Sequence, residues 1–169
     1  ESQSVAVFQV VEVQDNATAL SHLAEYFVEM EQIGEAVALN RTLARLFPGD
    51  LSVAATRAAV QHASGDAAGF AATISEIETL ISQGEAEMLP WDRRVSLAIV
   101  LVEGKRYDAA KEQAKRCLAE IDETKLRSLT TVSLYRLQVM SKAFGLHLTD
   151  PALRTLALNL LPVEMRDGL

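Results

Sequence analysis

Apolar residues recur at intervals of three and four along most of the chain. Leu20, Leu23, Phe27 and Met30 form one stripe, and Ala36, Leu39, Leu43, Leu46 and Phe47 form a second. This is the period of a helix with one face turned to a core, so two helices are predicted. Residues 31–34 interrupt the pattern between them, and Gly34 offers the backbone freedom that a turn needs. The small side chains of Ala24 and Ala36 let the two axes approach to about 8–10 Å, which closes an antiparallel hairpin. Phe47 and Pro48 stop the second helix, because a residue before proline is pushed out of the helical region. One hairpin cannot bury both of its faces, so neighbours are expected.

The chain supplies them. Over residues 51–89, Val53, Ala54, Ala58 and Val60 predict a third helix, and Gly65 and Asp66 a turn. Phe70, Ile74, Ile77 and Ile81 then predict a fourth helix, and residues 83–90 read as a linker with turn chemistry. Over residues 91–124, one helix carries Val95, Leu97, Ala98, Leu101 and Val102, and its partner carries Ala110, Ala114, Cys117, Leu118 and Ile121. Residues 125–148 read as a single long helix striped with Leu126, Leu129, Val132, Leu137, Met140 and Phe144. Asp150 as a cap, with Pro151 at the first helical position, starts a last helix that Pro162 ends. Residues 163–169 are expected to be loosely held. Residues 1–14 stand apart, because Val5, Val7, Phe8, Val10, Val11 and Val13 favour a strand by propensity while no second strand-like run pairs with them. A capping helix over about residues 5–13 is favoured over the tail of an upstream domain, with Asp15 or Asn16 capping the helix that follows.

Residues 17–50 resemble one tetratricopeptide repeat, a 34-residue helix-turn-helix unit. Leu20, Leu23, Ala24, Phe27, Ile33, Ala36, Leu43 and Pro48 fall at that family's core and terminal positions, whereas Glu31 stands where glycine is usual and Asn40 where an aromatic is usual. In residues 51–89 the match is loose, since Phe70 takes the place of the small alanine; in the third hairpin Gly104 lies one residue further from Tyr107 than usual, which implies a longer turn. The resemblance implies an all-α fold, a right-handed superhelical stack of α-α hairpins over residues 17–162, with residues 1–16 as an extension or cap and 163–169 as a tail.

Composition narrows the partners. Sixteen basic against 23 acidic residues give a net charge of −7, so nucleic acid and anionic membranes are disfavoured. The single Cys117 excludes an intrachain disulfide framework and reads as a small buried hydrophobe rather than a reactive thiol. No run of 18 apolar residues exists, so no membrane insertion of this segment is expected. The chain begins at Glu1 without methionine, which points to an excised domain or a processed product. The compartment stays open, with the cytoplasm favoured and an upstream signal or anchor left open.

Candidate chemistry is sparse. His22, His62 and His147 lie on different units without a partner at ligand spacing, and no nucleophile elbow, phosphate loop or dinucleotide fingerprint occurs. No enzyme, metal or cofactor is expected. Glu76, Glu78, Glu85 and Glu87 read as a solvated face, while Glu120, Asp122 and Glu123 read as an acidic helix end opposed by the helix dipole. Trp91 reads as a packing anchor, with an exposed hot spot as the alternative.

By resemblance, a partner lies in a concave groove lined by the first helices of successive hairpins. The matching positions are Thr18, Ser21, Glu25 and Val28, then Ser52, Ala55, Ala59 and His62, then Asp92, Val95, Ile99 and Val102. They lack the lysine, arginine and asparagine with which family members clamp chaperone tails, so an apolar or mildly basic peptide or helix is the expected partner. The implied function is a non-catalytic scaffold or adaptor. A structural or homodimerising module is the alternative, and a small-ligand sensor or enzyme is more remote. The groove is filled instead if the N-terminal segment or the long helix over residues 125–148 packs across it.

Overall fold

A computed structural model describes the backbone of residues 2–169 and the side chains of residues 16–169. Among these residues it holds nine α-helices, one 3-10 turn and no strand. The chain divides into two compact units, Glu1–Ala86 and Glu87–Leu169.

The first unit consists of two hairpins. Helix α1 (Ser2–Glu29) pairs with α2 (Ile33–Leu46), and α3 (Leu51–Ser64) with α4 (Ala67–Ser82); α3 also packs on both α1 and α2. Helix α1 runs unbroken through Asp15 and Asn16, so neither of them caps a second helix, and the expected break there is corrected. Its core-facing side is also rotated from the expected stripe. Ala17, Ser21 and Ala24 are the buried positions, whereas Leu23 is 42% and Met30 53% exposed. Close approach explains the phase: the small residues sit where the helices cross, and Leu20 and Phe27 flank them, half-buried. Ala24, Leu43 and Val53 form the core of this unit, with Leu20, Leu39 and Phe47 against it.

The second unit opens with a hairpin of α5 (Trp91–Glu103) and α6 (Tyr107–Ala119). The long helix expected over residues 125–148 is instead two, α7 (Glu123–Ser128) and α8 (Thr131–Ala143). Leu129 leaves the helix with ψ 146°, and the Thr130 hydroxyl accepts the Ser133 N–H at 3.2 Å to start α8. A threonine cap with this geometry competes with helix continuation. Asp122 likewise caps α7 by accepting the Lys125 N–H at 2.8 Å. Asp122 and Glu123 therefore begin a helix rather than end one, where the dipole favours them. Helix α9 (Pro151–Asn159) starts as expected, with Asp150 accepting the Ala152 N–H at 2.8 Å and Pro151 in the first turn. The tail is held rather than loose: Arg166 donates from Nε to the Leu161 carbonyl at 2.9 Å, and Lys142 donates to the Gly168 carbonyl.

The three hairpins share one turn. Glu31, Gly65 and Lys105 have φ of 59°, 78° and 60°. Each donates its N–H three residues back, to Val28, His62 and Val102, and the next N–H reaches five residues back, to Phe27, Gln61 and Leu101. This is the hydrogen-bond pattern of a helix closed by one left-handed residue. Gly34, expected in the turn, lies within α2, and the left-handed step falls on Glu31. The third turn is no longer than the others, because Lys105 rather than Gly104 takes that step. Counted from it, Ala24, Ala58 and Ala98 coincide and are all fully buried, as are Leu43, Ile77 and Cys117.

Candidate functional site

The positions read from sequence as a groove fall into three classes. Ser21, Ala55 and Val95 coincide when the hairpins are superposed on their turns, and all three are buried, so they pack between helices. Glu25, Ala59 and Ile99 are half-buried; Val28 and Val102 are half-buried, and His62 is exposed. Thr56 Oγ1 donates to Glu25 Oε1 at 3.3 Å, which ties α3 to α1 beside this face. His62 stacks obliquely on Phe70, with ring centroids 5.1 Å apart.

The third hairpin's part of the face is covered within its own unit. Val95 belongs to a core with Trp91, Ala98, Ala114, Cys117, Leu137 and Met140, and Ile99, Val102 and Phe144 pack against it. Helix α8 thus lies over the side of α5 that carries Val95, Ile99 and Val102. The apolar spacing of Leu137, Met140 and Phe144 was the signal for this cover. In the first unit, Glu25, Val28, Ala59 and His62 keep partial or full access to solvent.

Trp91 is the packing anchor, buried with its indole N–H donated to the Cys117 carbonyl at 2.9 Å. Burial pushes the Cys117 thiol up to about 12, as a small apolar core residue requires. Glu76 is not merely solvated: Arg57 pairs with it, and Arg57 Nε donates to Thr73 Oγ1 at 3.2 Å. Glu87 accepts from Arg116 at 3.0 Å, and that hydrogen bond and charge hold its carboxyl below the usual carboxylate range. In the core of the second unit, Arg94 donates to Gln113 Oε1 at 2.6 Å, with both side chains buried. Neither residue was legible as a buried polar pair, because Arg and Gln read as surface types.

A second feature had no sequence signal. Between α6, α7, α8, α9 and the tail lies a half-open cavity of about 220 Å³. Leu126, Leu134, Leu137 and Leu158 supply apolar wall, and the exposed Lys142, His147 and Arg154 stand at its mouth. Ser141 lines it as well, and its hydroxyl is shut off from solvent without a hydrogen-bond partner. These residues are spread in sequence from Leu126 to Leu158, so only the packing of α8 against the final helices brings them together.

Among the described residues, no group of three or more His, Cys, Asp or Glu is placed to hold a metal ion. Among the described residues, no helix is long and apolar enough to cross a membrane. Comparison with protein-family models, with curated proteins and with solved structures found no match.

Proposed function

We propose that the chain is a non-catalytic protein-interaction module built on tetratricopeptide-like hairpins, its partner a peptide or helix held by shape and apolar burial. The observation that carries this reading is the common register of the three hairpins. The same left-handed turn residue and the same buried alanine recur at Glu31 with Ala24, Gly65 with Ala58, and Lys105 with Ala98. Within the first unit, two hairpins repeated in one register turn equivalent positions the same way, which makes a shared face rather than a closed catalytic cleft. With α8 over the third hairpin, the binding face contracts to the first two, at Glu25, Val28, Ala59 and His62. Its single carboxylate, amid small and apolar side chains, suits an apolar or mildly basic segment.

The test is affinity capture with the domain, followed by mass spectrometry, in parallel with Val28→Glu and His62→Glu. A partner lost from both variants, but kept by Met88→Glu in the exposed linker, supports the face. A partner kept by both variants places recognition elsewhere.

A second reading, self-association, is favoured by one observation. Leu23, Tyr26 and Met30 run along α1 at spacings of three and four and are 42%, 49% and 53% exposed. Such an apolar stripe suits burial against a second copy. Light scattering distinguishes the readings: a tight dimer abolished by Tyr26→Lys favours the stripe, and a monomer at high concentration removes it.

A further inference from the structure

We infer that the cavity of the second unit binds a medium-chain aliphatic carboxylate. The argument starts from chemistry that the chain lacks elsewhere. The protein carries a net charge of −7, yet the charged side chains lining this cavity are Lys142 and Arg154, with His147 beside them and no Asp or Glu side chain. Arg154 and His147 make no side-chain hydrogen bond or ion pair among the described residues, so both are available to a ligand. Behind that mouth the wall is leucine and alanine, from Leu126, Leu134 and Leu137 to Ala157 and Leu158. A basic entrance before an apolar interior selects an anion with a hydrocarbon tail.

Size sets the tail. A space of about 220 Å³ is well above the ~10–15 Å³ that a single water needs, so it has room for a chain of several carbons with the carboxylate left at the mouth.

The inference is independent of the peptide-binding face, which lies on the first unit. Its test is calorimetric titration of the whole chain with butanoate, hexanoate, octanoate, decanoate and octan-1-ol. Affinity is expected to rise about fourfold per added methylene and to level off beyond octanoate. Octan-1-ol is expected to bind at least about fivefold more weakly than octanoate, since a charge-assisted contact is lost. Arg154→Ala, at an exposed position, should weaken octanoate by about tenfold and leave octan-1-ol unchanged. Leu158→Phe should abolish binding by filling the cavity; if that variant does not fold, Arg154→Ala decides. Affinity independent of chain length, octan-1-ol binding as tightly as octanoate, no saturable binding, or an unchanged Arg154→Ala would each overturn the assignment.

Discussion

The indole Nε1 of Trp91 donates to the main-chain carbonyl of Cys117 at 2.9 Å, joining the start of α5 to the last turn of α6. Both residues are buried, so water cannot replace the bond when it is removed. Trp91→Phe keeps an aromatic in the core and leaves that carbonyl without the indole N–H. The expected cost is about 1–3 kcal/mol, read as a lower urea midpoint with an unchanged slope.

Ala36 is fully buried on the hairpin face of α2, while Ala38 on the same helix is exposed. Ala36→Leu should force α1 and α2 apart and cost about 1–3 kcal/mol. Ala38→Leu should change stability by less than about 0.5 kcal/mol. Equal thermal shifts for the two would contradict the packing of the first hairpin.

Glu31 and Lys105 hold φ near 60° with a side chain attached, whereas Gly65 does so without one. A side chain in the left-handed region costs about 1 kcal/mol. Glu31→Gly and Lys105→Gly are therefore expected to raise stability by roughly 0.5–1 kcal/mol. Gly65→Ala should lower it by about 1 kcal/mol, because a Cβ there meets no neighbour and only backbone strain is added. Denaturant titration of the three variants checks the opposite signs.

The buried Cys117 thiol, raised to about 12, ties stability to alkaline pH. Unfolded, the thiol ionises near about 8.5, so above that pH the unfolded chain releases a proton that the folded chain keeps. Stability contributed by this group is full below pH 8.5 and falls as pH climbs toward 12, by at most about 1.4 kcal/mol per unit. Cys117→Ala should flatten that part of the stability profile. In the native protein at pH 8, thiol reagents should react only as fast as the chain opens, and an immediate reaction would place the thiol at the surface.

Much of the helical layout was legible in the sequence. The turn at Gly65 and the start of α9 at Asp150 and Pro151 follow from local chemistry, and the structure has both. Three features were not legible for physical reasons. The stripe through Leu23 and Met30 obeys helical spacing, but the true contact side is set by the small Ala17, Ser21 and Ala24, whose burial depends on a neighbour. The apolar rhythm of residues 125–148 runs on across Leu129 and Thr130, where a side-chain cap overrides it. The left-handed steps at Glu31 and Lys105 are imposed by hairpin closure against intrinsic preference, so residue type pointed instead to Gly34 and Gly104. Of the positions expected to line a groove, Glu25, Val28, Ala59 and His62 keep partial or full access to solvent, whereas the cover over Val95, Ile99 and Val102 depends on where α8 lands.

The shared turn also governs where this chain can tolerate insertions and deletions. One residue gained or lost at Glu31, Gly65 or Lys105 would spin the next helix by about 100° about its axis, carrying Leu43, Ile77 or Cys117 from core to water. Residues 83–90 form the connection from α4 to α5. The left-handed steps lie 34 positions apart from Glu31 to Gly65 and 40 from Gly65 to Lys105, and the six additional positions fall in a stretch that includes this connection. Length drift in this lineage should therefore collect between α4 and α5 and spare the hairpin bends.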